Sequence, residues 1–302
     1  MTQPFTLIGL DIEGDWNRPL IENAAAVSGC GCIFARSTPS GDGVGANTAN
    51  VSSELLAALQ GYRTVIACEP TRRSVSIYDF PAPRSKTAVI VGNERTGIPR
   101  KIMNQADVLA CVPMANGRLS SVNVAVAASI VLYALTRDLG RKHKRRAGLS
   151  QANVDVLVHA PADPHEIGSL LRSVYAFGWR RVFIHDPNGV WFSEDPQIVL
   201  ASRAAARRAN NMLAVLPADE LIPTHYDAVL ACDGQSQGTA LSRLQIPECH
   251  RLLLVIGPST REMNSWTTAT RVMVDLEDRS VSARSRHFGS ILLSMISQMI
   301  AP

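Results

Sequence analysis

Ala88–Thr136 reads AVIVGNERTGIPRKIMNQADVLACVPMANGRLSSVNVAVAASIVLYALT, and the order of its parts decides the fold. Ala88–Val91 is a short apolar run suited to a buried strand. Gly92-Asn93-Glu94-Arg95-Thr96-Gly97 is a turn-forming hexapeptide, and Val108–Val112 is a second strand ending at Pro113. Gly117–Ser121 then leads into a predicted helix from about Val122 to Leu135. Polar, glycine-containing turns beside apolar strands, followed by a long apolar helix, read as a binding site.

Working outward, short apolar runs alternate with helical patterns along the whole chain, which predicts an α/β fold. The charged segment from Arg137 to Gly148 separates two halves of similar length. The reading places domains at 1–140 and 151–302, with a basic linker at 141–150. Predicted strands in the first half lie near Thr6–Leu10, Cys30–Phe34, Arg63–Cys68, Ala88–Val91 and Val108–Val112, with helices near Pro19–Ser28, Val51–Leu59 and Val122–Leu135. The second half repeats this order. Its strands are expected near Val154–His159, Arg181–Ile184, Met212–Val215, Ala228–Ala231, Leu252–Ile256 and Val272–Val274, and its helices near Pro164–Phe177, Pro196–Ala209 and Ser285–Ile300. Local echoes support a duplication: Leu252–Pro258 parallels Ala88–Asn93, and Arg279–Arg284 parallels Arg118–Asn123. In the second copy Pro258 stands where Asn93 does, Ser259 where Glu94 does, and Arg284 where Asn123 does, so its turns have lost their polar chemistry.

Three tripeptides in order carry a family likeness: Gly92-Asn93-Glu94, Val112-Pro113-Met114 and Ser121-Val122-Asn123. At these residues the chain resembles the SpoU branch of the SPOUT superfamily, knotted RNA ribose 2′-O-methyltransferases that use S-adenosylmethionine. The resemblance implies two tandem SPOUT-like α/β domains, the first with a carboxy-terminal trefoil knot, packed as a pseudo-dimer within one chain. A knot breaks the usual topology rules and follows from the likeness alone. A further family motif, asparagine with a glycine two residues on and an arginine six residues on, is divided between the halves. The second half has Glu166, Gly168 and Arg172 at these places, whereas the first has Asn17 and, at the arginine place, Asn23. Relatives of this kind act as homodimers with an interfacial site, so a fused pair is expected to keep one composite site. The expected protein is a monomer acting as a pseudo-dimer, with a dimer of whole chains as the alternative.

The same likeness assigns Cys68, Gly92, Asn93, Val112, Pro113, Met114 and Ser121 to S-adenosylmethionine, and Asn17, Glu94, Ser121, Asn123 and Arg172 to catalysis. Glycine at 92 permits close backbone approach. Asn123 and Ser121 can both donate and accept hydrogen bonds, and Glu94 can hold loop or substrate donors. Ser121 equally suits a helix cap and Glu94 a turn. Arg172, a guanidinium and therefore a poor base, is expected to clamp a phosphate and stabilise developing negative charge. No metal is required, and no Cys/His cluster suggests one: Cys30, Cys32, Cys68, Cys111, Cys232 and Cys249 are scattered, as reduced core thiols are.

The 302 residues carry a net charge of +4 and 46% apolar content, enough for a substantial core and compatible with a polyanionic partner. No apolar run reaches membrane-spanning length and no signal peptide is evident, so the expected location is the cytoplasm. The expected partner is RNA, tRNA or rRNA. Arg141, Lys142, Lys144, Arg145 and Arg146 of the linker are the expected phosphate contacts, with Arg203, Arg207 and Arg208 as a second cluster, though solvated faces read the same way. The first strand opens the chain almost at once, so the small RNA-binding domain that precedes the core in many relatives is expected to be absent. A non-catalytic RNA-binding or assembly protein is the alternative, motivated by Asn23. A phosphate loop at Gly92–Gly97 lacks the lysine it needs.

Overall fold

The computed structural model describes residues 4–36, 53–115, 121–141, 146–233, 238–257, 269–278 and 284–301. Two compact units emerge. The first comprises Met1–Pro113, Asn123–Lys142 and Leu276–Val281, and the second Met114–Val122, His143–Asp275 and Ser282–Pro302. The division near residue 142 coincides with the charged segment, but two short pieces are exchanged: one just ahead of each half's last helix.

In the first unit, β1 (Phe5–Leu10), β2 (Gly31–Ala35), β3 (Thr64–Cys68), β4 (Val75–Ser76), β5 (Thr87–Val91) and β6 (Val108–Cys111) form one sheet ordered β2-β1-β5-β3-β6-β4. All its pairings are parallel. A parallel sheet needs both faces covered, which explains why β5 is buried at every position. Ile8, Leu10, Val65, Ala67, Ala88 and Ile90 share one face with Leu55 and Leu59 of α2 (Ser53–Gln60) and Ile102 of α3 (Arg100–Met103). The alternating Leu7, Ile66 and Val89 are equally buried on the other face. Helix α1 (Asn17–Val27) packs on α4 (Val124–Thr136), and α4 on β5. Ten consecutive-to-near-consecutive positions of α4 are buried, so it has almost no polar face.

The second unit repeats the topology. It contains β7 (Arg146–Ser150), β8 (Val154–His159), β9 (Arg181–His185), β10 (Ala214–Pro217), β11 (Ala228–Cys232), β12 (Thr239–Ala240), β13 (Leu252–Ile256), β14 (Ala269–Met273) and β15 (Ile300–Ala301). Its main sheet runs β10-β9-β8-β13-β11-β14-β12, again parallel throughout. Matching β8 to β1 and continuing in order gives the first unit's arrangement with β10 added at one edge. Helix α5 (Pro164–Ala176) packs between α6 (Pro196–Ala206) and α7 (Ser285–Met299). Asp163 caps α5 by accepting from Glu166 N at 2.8 Å, and Pro164 sits where its missing N–H costs nothing.

Three expectations change. Arg146–Ser150, read as linker, is β7 and pairs with β15, burying Leu149. Helix α6 ends at Ala206 rather than Ala209, because Arg207 takes φ 52° and breaks the ladder before a short 3-10 turn, Arg207–Asn211. β14 starts at Ala269, three residues earlier than its apolar residues suggest. Among the described residues no helix is long and apolar enough to cross a membrane.

Candidate active site

The turn after β5 is built for closeness. A Cβ on Gly92 would lie 2.5 Å from the Gly97 carbonyl carbon, so no side chain fits there. Gly97 has φ +70°, which glycine tolerates best. Asn93 and Gly97 exchange backbone hydrogen bonds of 3.2 and 3.0 Å, while Asn93 Oδ1 accepts from Arg95 N and Thr96 N at 2.8 and 3.0 Å. Asn93 Nδ2 donates to Asp11 O at 2.7 Å, tying the turn to the end of β1. Asn93 therefore shapes the loop with its side chain, and that side chain is nearly all buried.

Glu94 points the other way. Asn17 Nδ2 donates to Glu94 Oε1, and Asn123 Nδ2 donates to Asn17 Oδ1 at 2.9 Å. Asn123 Oδ1 meanwhile caps α4 by accepting from Ala125 N at 2.8 Å. Residues 77 and 106 positions apart are thus joined in one relay, Asn123 to Asn17 to Glu94. Among the described residues Glu94 Oε2 has only a contact of 3.4 Å from Glu13 N, so it keeps acceptor capacity. Arg95 pairs with Glu13 at 2.6 Å on the surface, where such a pair adds little stability.

The other predicted residues fall in two groups. Cys68 ends β3, Val112 and Pro113 follow β6, and both strands neighbour each other in the sheet. Burial, with Cys111 and Glu69 adding, pushes the Cys68 thiol up to about 12 and keeps it protonated. Met114 and Ser121 belong to the second unit. There Arg172 Nε donates to Ser121 O at 3.3 Å and its Nη2 to Ser121 Oγ at 3.2 Å. Arg172 is 9% exposed, and burial, followed by the charge of Arg207, lowers it to about 10. It remains a cation at neutral pH. Of the basic segment, Lys142, Lys144 and Arg145 lie outside the described residues, while Arg141 ends a 3-10 turn and Arg146 opens β7.

The sequence reading missed Glu69. This residue follows β3, its Oε2 accepts from Ile98 N at 3.1 Å, and Gly97 packs against its carboxylate. Burial raises its pKa, partly offset by the Ile98 bond. The available signal was an acid directly after an apolar strand.

In the second unit the corresponding polar residues do different work. Glu166, at the place of Asn17, accepts from Ala162 N at 2.7 Å and Ser285 N at 3.1 Å. Arg284, at the place of Asn123, gives α7 no side-chain cap, and Arg286 pairs with Asp163 at 3.3 Å. Both Glu166 oxygens serve backbone. Pro258 and Ser259 lie outside the described residues.

Residues 40–133 match the family model of the SpoU rRNA methylases. Over 78 residues, 26% of the chain, the sequence is 36% identical to mouse (Mus musculus) TARBP1, a tRNA (guanosine(18)-2′-O)-methyltransferase. The chain spans only 5% of that relative's length. Among solved structures, the A. aeolicus TrmH/SpoU tRNA modifying enzyme aligns at 10% identity, covering 52% of this chain and 77% of its own, with a TM-score of 0.40. The Streptomyces viridochromogenes SpoU methyltransferase AviRb, solved with AdoMet, aligns at 16% identity over 51% of this chain and 60% of its own, with a TM-score of 0.38. Over residues 40–133 the chain is therefore similar to the SpoU rRNA methylase family.

Proposed function

We propose that the chain methylates a ribose 2′-hydroxyl of RNA, tRNA or rRNA, with S-adenosylmethionine as donor, at a composite site to which both units contribute. The observation that carries this reading is the anchoring of one tripeptide. Ser121 is held by Arg172 within the second unit, and Asn123, two residues later, is held by Asn17 within the first. The two units are read as tandem SPOUT-like domains, 1–140 and 151–302, paired as a pseudo-dimer, with the first closing on a trefoil knot. Their common strand order motivates this.

The residues present fit the donor. The loops after β3, β5 and β6 offer backbone groups at the carboxyl ends of adjacent parallel strands, where open α/β sheets take ligands. Cys68 stays a thiol, so it presents no thiolate to be alkylated, and the half-buried Glu69 beside the turn offers an acid toward a cationic ligand. When bound, S-adenosylmethionine supplies a methyl on sulfonium, which leaves as the ribose oxygen forms its new bond and sulfur keeps the electron pair. Glu94 Oε2, held in place by Asn17 and Asn123 behind it, accepts a hydrogen bond from the ribose hydroxyl and takes the proton that the hydroxyl sheds as its oxygen gains the methyl. Arg172 holds Ser121 and, as a cation, stabilises negative charge on the attacking oxygen. Positioning carries much of the rate.

Calorimetry with S-adenosylhomocysteine, followed by transfer of labelled methyl to bulk tRNA and rRNA with the modified ribose mapped, tests this. One site per chain and a 2′-O-methyl product are expected. No cofactor binding overturns the enzyme reading, and two sites overturn the assignment of the donor to the first unit.

A further inference from the structure

The turn that grips Glu94 carries an aromatic side chain. Asn17 N donates to Gly14 O at 2.8 Å, which closes Gly14-Asp15-Trp16-Asn17 into a tight turn ahead of α1. Glu13 N and Gly14 N each reach the Glu94 carboxylate at 3.4 Å, and Asn17 Nδ2 donates to it as well. A Cβ on Gly14 would lie 2.9 Å from Asn17 Nδ2 and 3.5 Å from Glu94 Oε1, so glycine lets the turn close on the acid. Buried Ile12 and Leu20 hold the segment at its two ends. Trp16 therefore stands on a fixed turn.

Trp16 is 73% exposed, whereas Trp179 and Trp191 are 0% and 2%. An indole is among the largest apolar surfaces that a side chain can bury, so leaving it in water forgoes stabilisation. Phe34 of β2, against which α1 packs, already has the Arg18 guanidinium 5.2 Å over its ring. Glu13, Asp15 and Arg95, on the two turns that meet at Glu94, are exposed and charged. The indole is thus a single apolar plane set among charges. Such a plane suits one flat ring better than a protein face, which would need a wider apolar patch.

We infer that Trp16 is the stacking platform for the nucleobase of the nucleotide being methylated. This rests on the ribose-methylation reading and deepens it by naming what holds the base. Consecutive Cα atoms lie about 3.8 Å apart, so the indole springs from a point one residue away from the Asn17 that holds Glu94. A base is attached to C1′, next to the carbon that bears the 2′-hydroxyl. A ribose whose hydroxyl meets Glu94 Oε2 therefore carries its base within an indole's length of the turn. Unstacked RNA bases are commonly laid on aromatic side chains in this way. Every base has a π face, so the contact favours a base over bare backbone without choosing among the four. Fixing the base also fixes the ribose, which helps aim its hydroxyl.

The test uses the full chain with three probes: bulk tRNA, a mixed-sequence single-stranded RNA, and an abasic ribose-phosphate strand of the same length. Stacking quenches indole fluorescence, and Trp179 and Trp191 are buried, so a quench that disappears in Trp16→Phe belongs to residue 16. Trp16→Phe should lose the quench yet bind both RNAs within about threefold of wild type, since a phenyl ring still stacks. Trp16→Ala, a change at an exposed position, should weaken RNA binding about tenfold and leave binding of the abasic strand unchanged. S-adenosylhomocysteine affinity should not change in either variant. A wild-type fluorescence that RNA does not alter, a quench that persists in Trp16→Phe, or equal losses on RNA and abasic strand in Trp16→Ala would each overturn the inference. So would a shift from dimer to monomer in Trp16→Ala with RNA affinity unchanged, because the indole would then serve a second copy of the chain. In all these cases retained S-adenosylhomocysteine binding leaves the methyltransferase reading standing, whereas a wild-type chain that binds none of it is the failure of that reading.

Discussion

The two units share a strand order yet use their strand-end polar residues differently. In the first, Asn123, Asn17 and Glu94 bond side chain to side chain and leave Glu94 Oε2 with spare acceptor capacity. In the second, Glu166 satisfies two backbone N–H groups and has become part of the scaffold. The sheet survives such a change because its stability comes from apolar burial on both faces, while a site depends on a few side chains. Topology is retained more readily than chemistry.

The comparison breaks most sharply at Arg172. Replacing it by alanine should lower methyl transfer about 100-fold or more, the scale for losing one charge-stabilising donor, while S-adenosylhomocysteine affinity stays within about threefold. Initial rates and calorimetry on the same preparation check this. Lysine at this position should not restore the rate, because it cannot reach both Ser121 acceptors in a fixed plane. An alanine variant that methylates at the wild-type rate removes the second unit from the chemistry.

A paired substitution sharpens the contrast. Glu166→Ala leaves Ala162 N and Ser285 N without acceptors, at a cost of about 2–4 kcal/mol of stability, with cofactor affinity unchanged. Glu94→Ala should do the reverse, cutting the methylation rate about 100-fold with little change in denaturation midpoint. Equal stability losses in the two variants would show that both acids are structural.

The narrowest expected effect, confined to acid pH, concerns the last helices. His287 on α7 occupies the position of Val126 on α4, counting from the cap residues Arg284 and Asn123. It is 1% exposed with neither ring nitrogen bonded, and burial, then Arg286 and Arg284, lowers it from 6.5 to about 3. The folded state holds the ring neutral while the unfolded chain takes up a proton. Stability from this group is therefore complete above pH 6.5 and falls as the pH drops toward 3, by up to about 1.4 kcal/mol per pH unit. His287→Val should flatten that slope in denaturant midpoints measured from pH 7 to pH 4.

The strands Val154–His159 and Leu252–Ile256 were legible to the residue because the second is an unbroken apolar run between Arg251 and Gly257 and the first is valine- and leucine-rich, interrupted only by Asp155 before its closing His159. Boundaries set by backbone alone were not. Helix α1 begins at Asn17, two residues before the proline that suggested its start, because Asn17 N already bonds Gly14 O at 2.8 Å. Arg207 ends α6 through its own φ, and no residue type announces that. In the site, residue identities at 17, 94 and 123 were legible through the family likeness, but their hydrogen-bonded order was not, since it depends on which strand ends lie side by side. Glu69 escaped notice for the same reason: its partner, Ile98 N, lies 29 positions away.

The exchanged segments have a consequence for synthesis on the ribosome. Residues 276–281 complete the first unit, where Asp278 N bonds Val27 O at 3.1 Å and Glu277 pairs with Arg137 at 2.9 Å. They emerge only after most of the second half has been translated, on the order of ten seconds after Lys142 at bacterial-to-eukaryotic elongation rates. During that interval the nascent first unit lacks the bond from Asp278 to Val27 and the pair between Glu277 and Arg137. The ends of α1 and α4 thus receive some of their contacts only from late-made residues.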